Sequence, residues 1–227
     1  MVTPSLESAL HRITELQAHL SVPEAALVGL VALGSITIPG VRLLTRHANV
    51  MAHEGAHVLA GSALGRRVQG VQIRRNGNGE TRLAGAGWGG SVLAATVGYL
   101  GPSAFGLAAA ALIHDGRIVA VLWLSLLALV ILLFLVRNAF GLATAVLSGL
   151  ALYLVAYYAP VGAQVVVAYG VAWLMLLSGV RVVLAHGRNA GDAAILHGLT
   201  RIPRGVWSGL WLAGTLAALV VGGSLLL

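Results

Sequence analysis

The 227-residue sequence has no cysteine and no lysine, and only seven acidic side chains stand against fourteen arginines. Without cysteine, disulfides, thiolate-bound metals and thiol nucleophiles are all excluded, and the redox compartment leaves no trace. Charged residues make up 9% of the chain and hydrophobic residues 58%, with a mean hydropathy of +0.90. A soluble domain could not cover that much apolar surface with so few charges, so the composition points to a multi-spanning membrane protein whose solvent is the lipid bilayer. The net charge of +7 would suggest nucleic acid in a soluble chain. Here the arginines gather in loops between apolar segments and no aromatic-rich basic module accompanies them, which argues against a nucleic-acid partner. The N-terminus lacks the charged and then apolar order of a cleavable signal.

Residues 1–21 read as an N-terminal segment and 22–227 as a single transmembrane domain. Thr3 suits a helix cap and Pro4 a first helical position, while Leu6, Leu10, Ile13, Leu16 and Leu20 recur at the spacing of an amphipathic surface helix. Apolar stretches follow at about 24–40, 49–64, 90–113, 118–136, 139–158, 162–184 and 206–227, which predicts an all-α membrane protein with six to seven transmembrane helices. Two polar islands interrupt them. Residues 65–85 predict a small membrane-associated β-hairpin, with Val68, Val71 and Ile73 ahead of the turn Asn76-Gly77-Asn78-Gly79 and Thr81 and Leu83 beyond it. Residues 185–205 form the other island, where Asp192 opens a short helix. With seven crossings, most arginines, Arg12 included, fall on one side and Arg42, Arg46 and Arg117 on the other. The positive-inside rule then puts the N-terminus, hairpin and Asp192 loop in the cytoplasm and the C-terminus outside.

The motif that carries chemistry is His53-Glu54-Gly55-Ala56-His57. On a helix His53 and His57 share one face and can hold one Zn²⁺, with Glu54 beside them to take a proton from an attacking water. An acidic side chain in a membrane span marks function by default. A third protein ligand is needed. Ala63 occupies the place of a metzincin-type histidine, Glu80 reads as a solvated hairpin charge, and His47, His114 and Asp115 fall off the face or on the other side. His186, His197 and Asp192 remain; Asp192 brings a suitable charge, but an aspartate ahead of Ala-Ala-Ile-Leu is also a good helix cap.

The chain resembles the site-2-protease group of intramembrane metalloproteases, the M50 peptidases, and in particular their small bacterial M50B-like branch. The resemblance rests on HEGAH in an early span followed by Gly65-Arg66-Arg67-Val68, on Gly98-Tyr99-Leu100-Gly101-Pro102, on Arg137-Asn138 with Gly141, and on Gly191-Asp192-Ala193-Ala194-Ile195-Leu196. Leu-Asp-Gly, seen in larger members, is missing. The resemblance implies Asp192 as third zinc ligand and Glu54 as general base. It also implies a membrane-protein substrate cut in or near a transmembrane segment, in a bacterial cytoplasmic membrane with the site toward the cytoplasm. Such a substrate must unwind before attack. An exposed hairpin edge at residues 68–74 could take it as an added strand, making Val71 and Ile73 candidate contacts, and Asn189 could hold a peptide or an oxyanion. The alternatives are a metal-binding scaffold without turnover or an ion or metal transporter, though the spans outside the motif are nearly bare of charge. Nothing in the sequence speaks to oligomeric state.

Overall fold

The computed structural model describes residues 6–85, 87–189 and 191–227. Thr3 and Pro4 lie outside them; what is described of the amphipathic segment is helix α1, Leu6–Thr14. The rest is α2 (Val22–Thr37), α3 (Pro39–Ala63), β1 (Arg67–Ile73), β2 (Gly79–Ala84), α4 (Trp88–His114), α5 (Ile118–Leu135), α6 (Ala139–Tyr158), α7 (Val161–His186), α8 (Gly191–Thr200) and α9 (Arg204–Leu226), with a 3₁₀ turn at Gly187–Asn189. The protein is an α-helical multi-pass membrane protein with one small antiparallel hairpin.

Helices α4, α5, α6, α7 and α9 are each long and apolar enough to cross a membrane, and α2 with α3 adds at most a sixth crossing. The sequence-based count of seven treats α2 and α3 as separate spans. They are instead a broken pair that meets at 99°. Pro39 supplies the break: its ring pushes Ile38 into an extended conformation (φ −71°, ψ 120°), and the proline itself starts the next helix. At the start of α2, the Ser21 N–H and hydroxyl both donate to Glu24 (2.8 and 2.6 Å) and Pro23 occupies the first turn.

The chain alternates between two ends. At one end Gln17 bonds Gly116 and Val119 and His19 bonds the Ile113 carbonyl, so the segment after α1 packs on the α4–α5 turn. Nearby lies the largest dry cluster, built from Trp173, Tyr169, Leu176, Ile113 and Leu122. Trp173 donates to the Ala25 carbonyl (3.1 Å), and fully buried Gln164 donates to the carbonyls of Ala156 near the end of α6 (2.9 Å) and of Ala159 just past it (3.0 Å). At the other end are the hairpin, the α5–α6 link and α8.

This arrangement corrects the arginine assignment. Arg12 belongs to the end that holds Arg117, because the N-terminal segment is tied to the 113–119 turn. Arg46, assigned away from the hairpin, donates to the Arg75 carbonyl at the hairpin tip. Arg42 and Arg181 line the same cavity as Arg74. Folding α3 back across the bundle removes one crossing and inverts the side of everything before it. The bias of arginine toward the hairpin end becomes stronger, not weaker.

Candidate metal centre and active site

Helix α3 places its side chains by the helical period. Val50, Met51 and Val58 enter a small cluster with Val71 and Ile73 of β1, Leu132 of α5 and Val136 just after it, while His53, Glu54 and His57 face a cavity of about 800 Å³. Against them comes α8. Its Ala193 and Leu196 are fully buried with Ala95, Val183 and Trp211, which turns Asp192 in the first turn of α8 toward the histidines. The carboxylate is therefore not spent as a helix cap.

His53 Nε2 and His57 Nε2 are 3.1 Å apart, and Asp192 Oδ2 lies 3.2 Å from the first and 3.4 Å from the second. Ligands at zinc bond lengths on a tetrahedron are separated by roughly 3.3 Å, so the three atoms already form one face of such a site. They form the one His/Cys/Asp/Glu group among the described residues that can hold a metal ion. Outer contacts fix the donors. His57 Nδ1 donates to the Ala94 carbonyl (2.9 Å), which leaves the Nε2 lone pair for a metal. The His53 ring stands edge-on to Tyr99 (4.9 Å), and Tyr99 stacks on Trp211 (4.6 Å), whose Nε1 bonds the Thr96 carbonyl (2.9 Å). Burial works to raise the pKa of Asp192, yet hydrogen bonds to His53 and His57 outweigh it and hold the carboxyl well below the usual carboxylate range.

Glycine lets α4 come this close. A Cβ at Gly98 would collide with both imidazoles, which gives a steric reason for the Gly98-Tyr99 element. Glu54, 3% exposed, accepts a 2.6 Å hydrogen bond from the Thr81 hydroxyl of β2. Sequence reasoning missed Thr81, because only the register of the hairpin, Val71 opposite Thr81 and Ile73 opposite Gly79, reveals that it faces α3.

A family match fits this geometry. The family described as Peptidase M50B-like matches residues 26–222. The chain belongs to the M50B-like peptidases. No curated protein and no solved structure gives a match. For this M50B-like chain the other expected residues divide clearly. Asn189 lines the cavity, as does His186 at the exposed end of α7, but neither joins the three-ligand group. His197 bonds the Ile202 carbonyl instead (2.9 Å), and Glu80 is held by Arg74 and Arg82 at 2.6 and 2.9 Å.

Val71 and Ile73 require a correction. Both are fully buried, and the outer edge of β1 is already occupied: Val71 bridges Val136, the Arg137 N–H donates to the Val71 carbonyl (2.9 Å), and the Asn138 amide both accepts from and donates to the Ile73 backbone (3.0 and 2.8 Å). No substrate strand can add there. The edge that faces the cavity belongs to β2, whose Gly79, Glu80, Thr81 and Leu83 line it.

Proposed function

We propose that this M50B-like peptidase is a zinc-dependent endopeptidase that cuts membrane-protein substrates in or near a transmembrane segment, at the cytoplasmic face of the membrane. The observation that carries the reading is the convergence of His53, His57 and Asp192 on one point, with Glu54 and the open edge of β2 along the same cavity. When bound, zinc supplies Lewis-acid polarisation of the scissile carbonyl and acidifies the attacking water.

The chain's own residues do the rest. His53, His57 and Asp192 hold the metal. Glu54 takes the proton of the attacking water and passes it to the leaving amine, and Thr81 fixes which way its carboxylate points. The substrate, unwound from its own helix, lies extended along β2, where backbone groups replace the lost helical hydrogen bonds. Asn189 borders the same space. The arginine-rich end of the bundle is the cytoplasmic one under the positive-inside rule. A transporter would need ionisable groups strung through several spans, and α5 and α6 carry no Asp, Glu, His or Arg.

The test is metal analysis of the purified protein together with cleavage of a single-span peptide. Glu54→Gln should retain zinc and lose at least 100-fold in kcat, within the range for removing a general base. Asp192→Asn should lose zinc as well as turnover. Equal turnover by wild type and Glu54→Gln would refute the assignment.

A further inference from the structure

The cavity over the metal site carries more positive charge than its catalytic groups require. Arg42, Arg46, Arg66, Arg74 and Arg181 line it, against the carboxylates of Glu54, Glu80 and Asp192. Those carboxylates are committed: Asp192 to the histidines, Glu54 to Thr81, and Glu80 to Arg74 and Arg82. Of the remaining acids, Glu24 is bonded to Ser21 and Glu15 to His11, while Glu7 and Asp115 belong to α1 and the opposite turn. Among the described residues Arg42, Arg46, Arg66 and Arg181 therefore have no carboxylate partner. The positive-inside bias accounts for arginine at this end of the bundle, but not for four guanidiniums without a carboxylate partner around one cavity.

Two of them are also incompletely bonded. Arg46 Nε and Arg66 Nε are buried without an acceptor, although Arg46 reaches the Arg75 carbonyl and Arg66 the Leu83 carbonyl (3.3 Å) with their terminal nitrogens. Arg181 and Arg42 line the same cavity. Like charges brought together beside buried unpaired donors form an arrangement that an incoming anion completes.

The placement of Arg46 and Arg66 along the hairpin says where that anion belongs. Gly79 lies against Glu54, Gly77 at the tip lies against the Arg46 side chain, and Leu83 takes the Arg66 bond. At about 3.3 Å per residue, a strand beside β2 with its scissile bond at Glu54 passes Arg46 about two residues away in one direction and Arg66 about four residues away in the other. A lipid headgroup would have to enter the same space as the peptide. Arg46 and Arg66 flank the peptide path itself and Arg42 and Arg181 line the same cavity, which favours peptide carboxylates.

We propose that Arg42, Arg46, Arg66 and Arg181 form a docking site for acidic side chains, so that the enzyme selects substrates with aspartate or glutamate two to four residues from the scissile bond. This rests on the endopeptidase reading. The probe is a fluorescent single-span peptide in phosphatidylcholine nanodiscs, made with Asp or with Asn at those positions, and binding is read by anisotropy on the Glu54→Gln protein. The Asp peptide should bind about tenfold more tightly, the strength of a charge-assisted hydrogen bond, and lose that advantage as salt is raised. In an Arg46→Gln/Arg66→Gln variant of matched zinc content the preference should collapse toward one. Arg42→Glu, in protein whose zinc content matches the parent, should weaken the preference several-fold.

Equal binding of the Asp and Asn peptides would overturn the proposal. So would a preference that survives in both arginine variants, or an arginine-dependent uptake of phosphatidylglycerol with no peptide preference. Failure of the endopeptidase reading looks different: wild type cuts neither peptide while the acidic preference in binding stands. Failure of the docking site leaves wild type cutting both with equal kcat/KM.

Discussion

The two strands of the hairpin have the same backbone chemistry and opposite fates. The outer edge of β1 is closed by the α5–α6 link, with Asn138 satisfying both backbone groups of Ile73 and Arg137 bonding Val71. β2 keeps its outer edge toward the cavity, where an element other than a neighbouring strand, helix α3, sets what it meets. An edge strand left open invites pairing, so proteins usually blunt it. Here one edge is blunted by a side-chain amide and the other is left beside Glu54, the proposed general base. The difference teaches that the hairpin is oriented: β1 anchors it to the bundle and β2 turns toward the cavity.

The open side breaks most sharply at Gly79. This residue is not among the glycines with left-handed φ, so its role is space: a Cβ there would run into the Glu54 carboxylate. Gly79→Ala should displace Glu54 and lower kcat about 100-fold, the lower range for loss of a general base, while zinc content measured on the purified protein stays intact. Loss of zinc together with activity would mean that the substitution disturbs α3 as a whole. On the closed side, Asn138→Ala leaves the Ile73 N–H and carbonyl unsatisfied in a part-buried place. It should cost about 2 kcal/mol of stability, read in denaturant unfolding from detergent, with the cleavage chemistry of the folded fraction unaltered.

Much of this was legible in the sequence, for reasons that differ by residue. His53, Glu54 and His57 share one short helix, and a local period is enough to bring them together. The hairpin announced itself through the glycine and asparagine turn, and the structure places its strands at Arg67–Ile73 and Gly79–Ala84 as alternation suggests. Asp192 needed the resemblance, because its local pattern is also that of a cap; what aims it is the burial of Ala193 and Leu196 against distant helices. The closed edge was not legible at all. It depends on Val136 meeting Val71 and Asn138 meeting Ile73, each across 65 positions of chain, and no local signal encodes that pairing. The arginine count failed for a related reason: Pro39 was visible, but whether it ended a span or folded one back is decided by what α3 packs against.

The smallest expected effect sharpens the comparison most. Thr81 is a positioning residue on the open strand: it touches Glu54 at 2.6 Å and no metal ligand. Thr81→Val keeps the β-branched shape suited to a strand and removes only the hydroxyl, so the hairpin and the metal centre should survive. A charge-assisted hydrogen bond of this kind is worth about 1.5 kcal/mol, which corresponds to roughly a tenfold fall in kcat with KM nearly constant. Thr81→Ser restores the hydroxyl at the same place and should recover most of the rate, which a purely structural role of the side chain would not predict. If Val and Ser variants behave alike, Thr81 acts through packing and β2 contributes only its backbone; if Ser alone recovers, the open strand orients the base as well as the substrate.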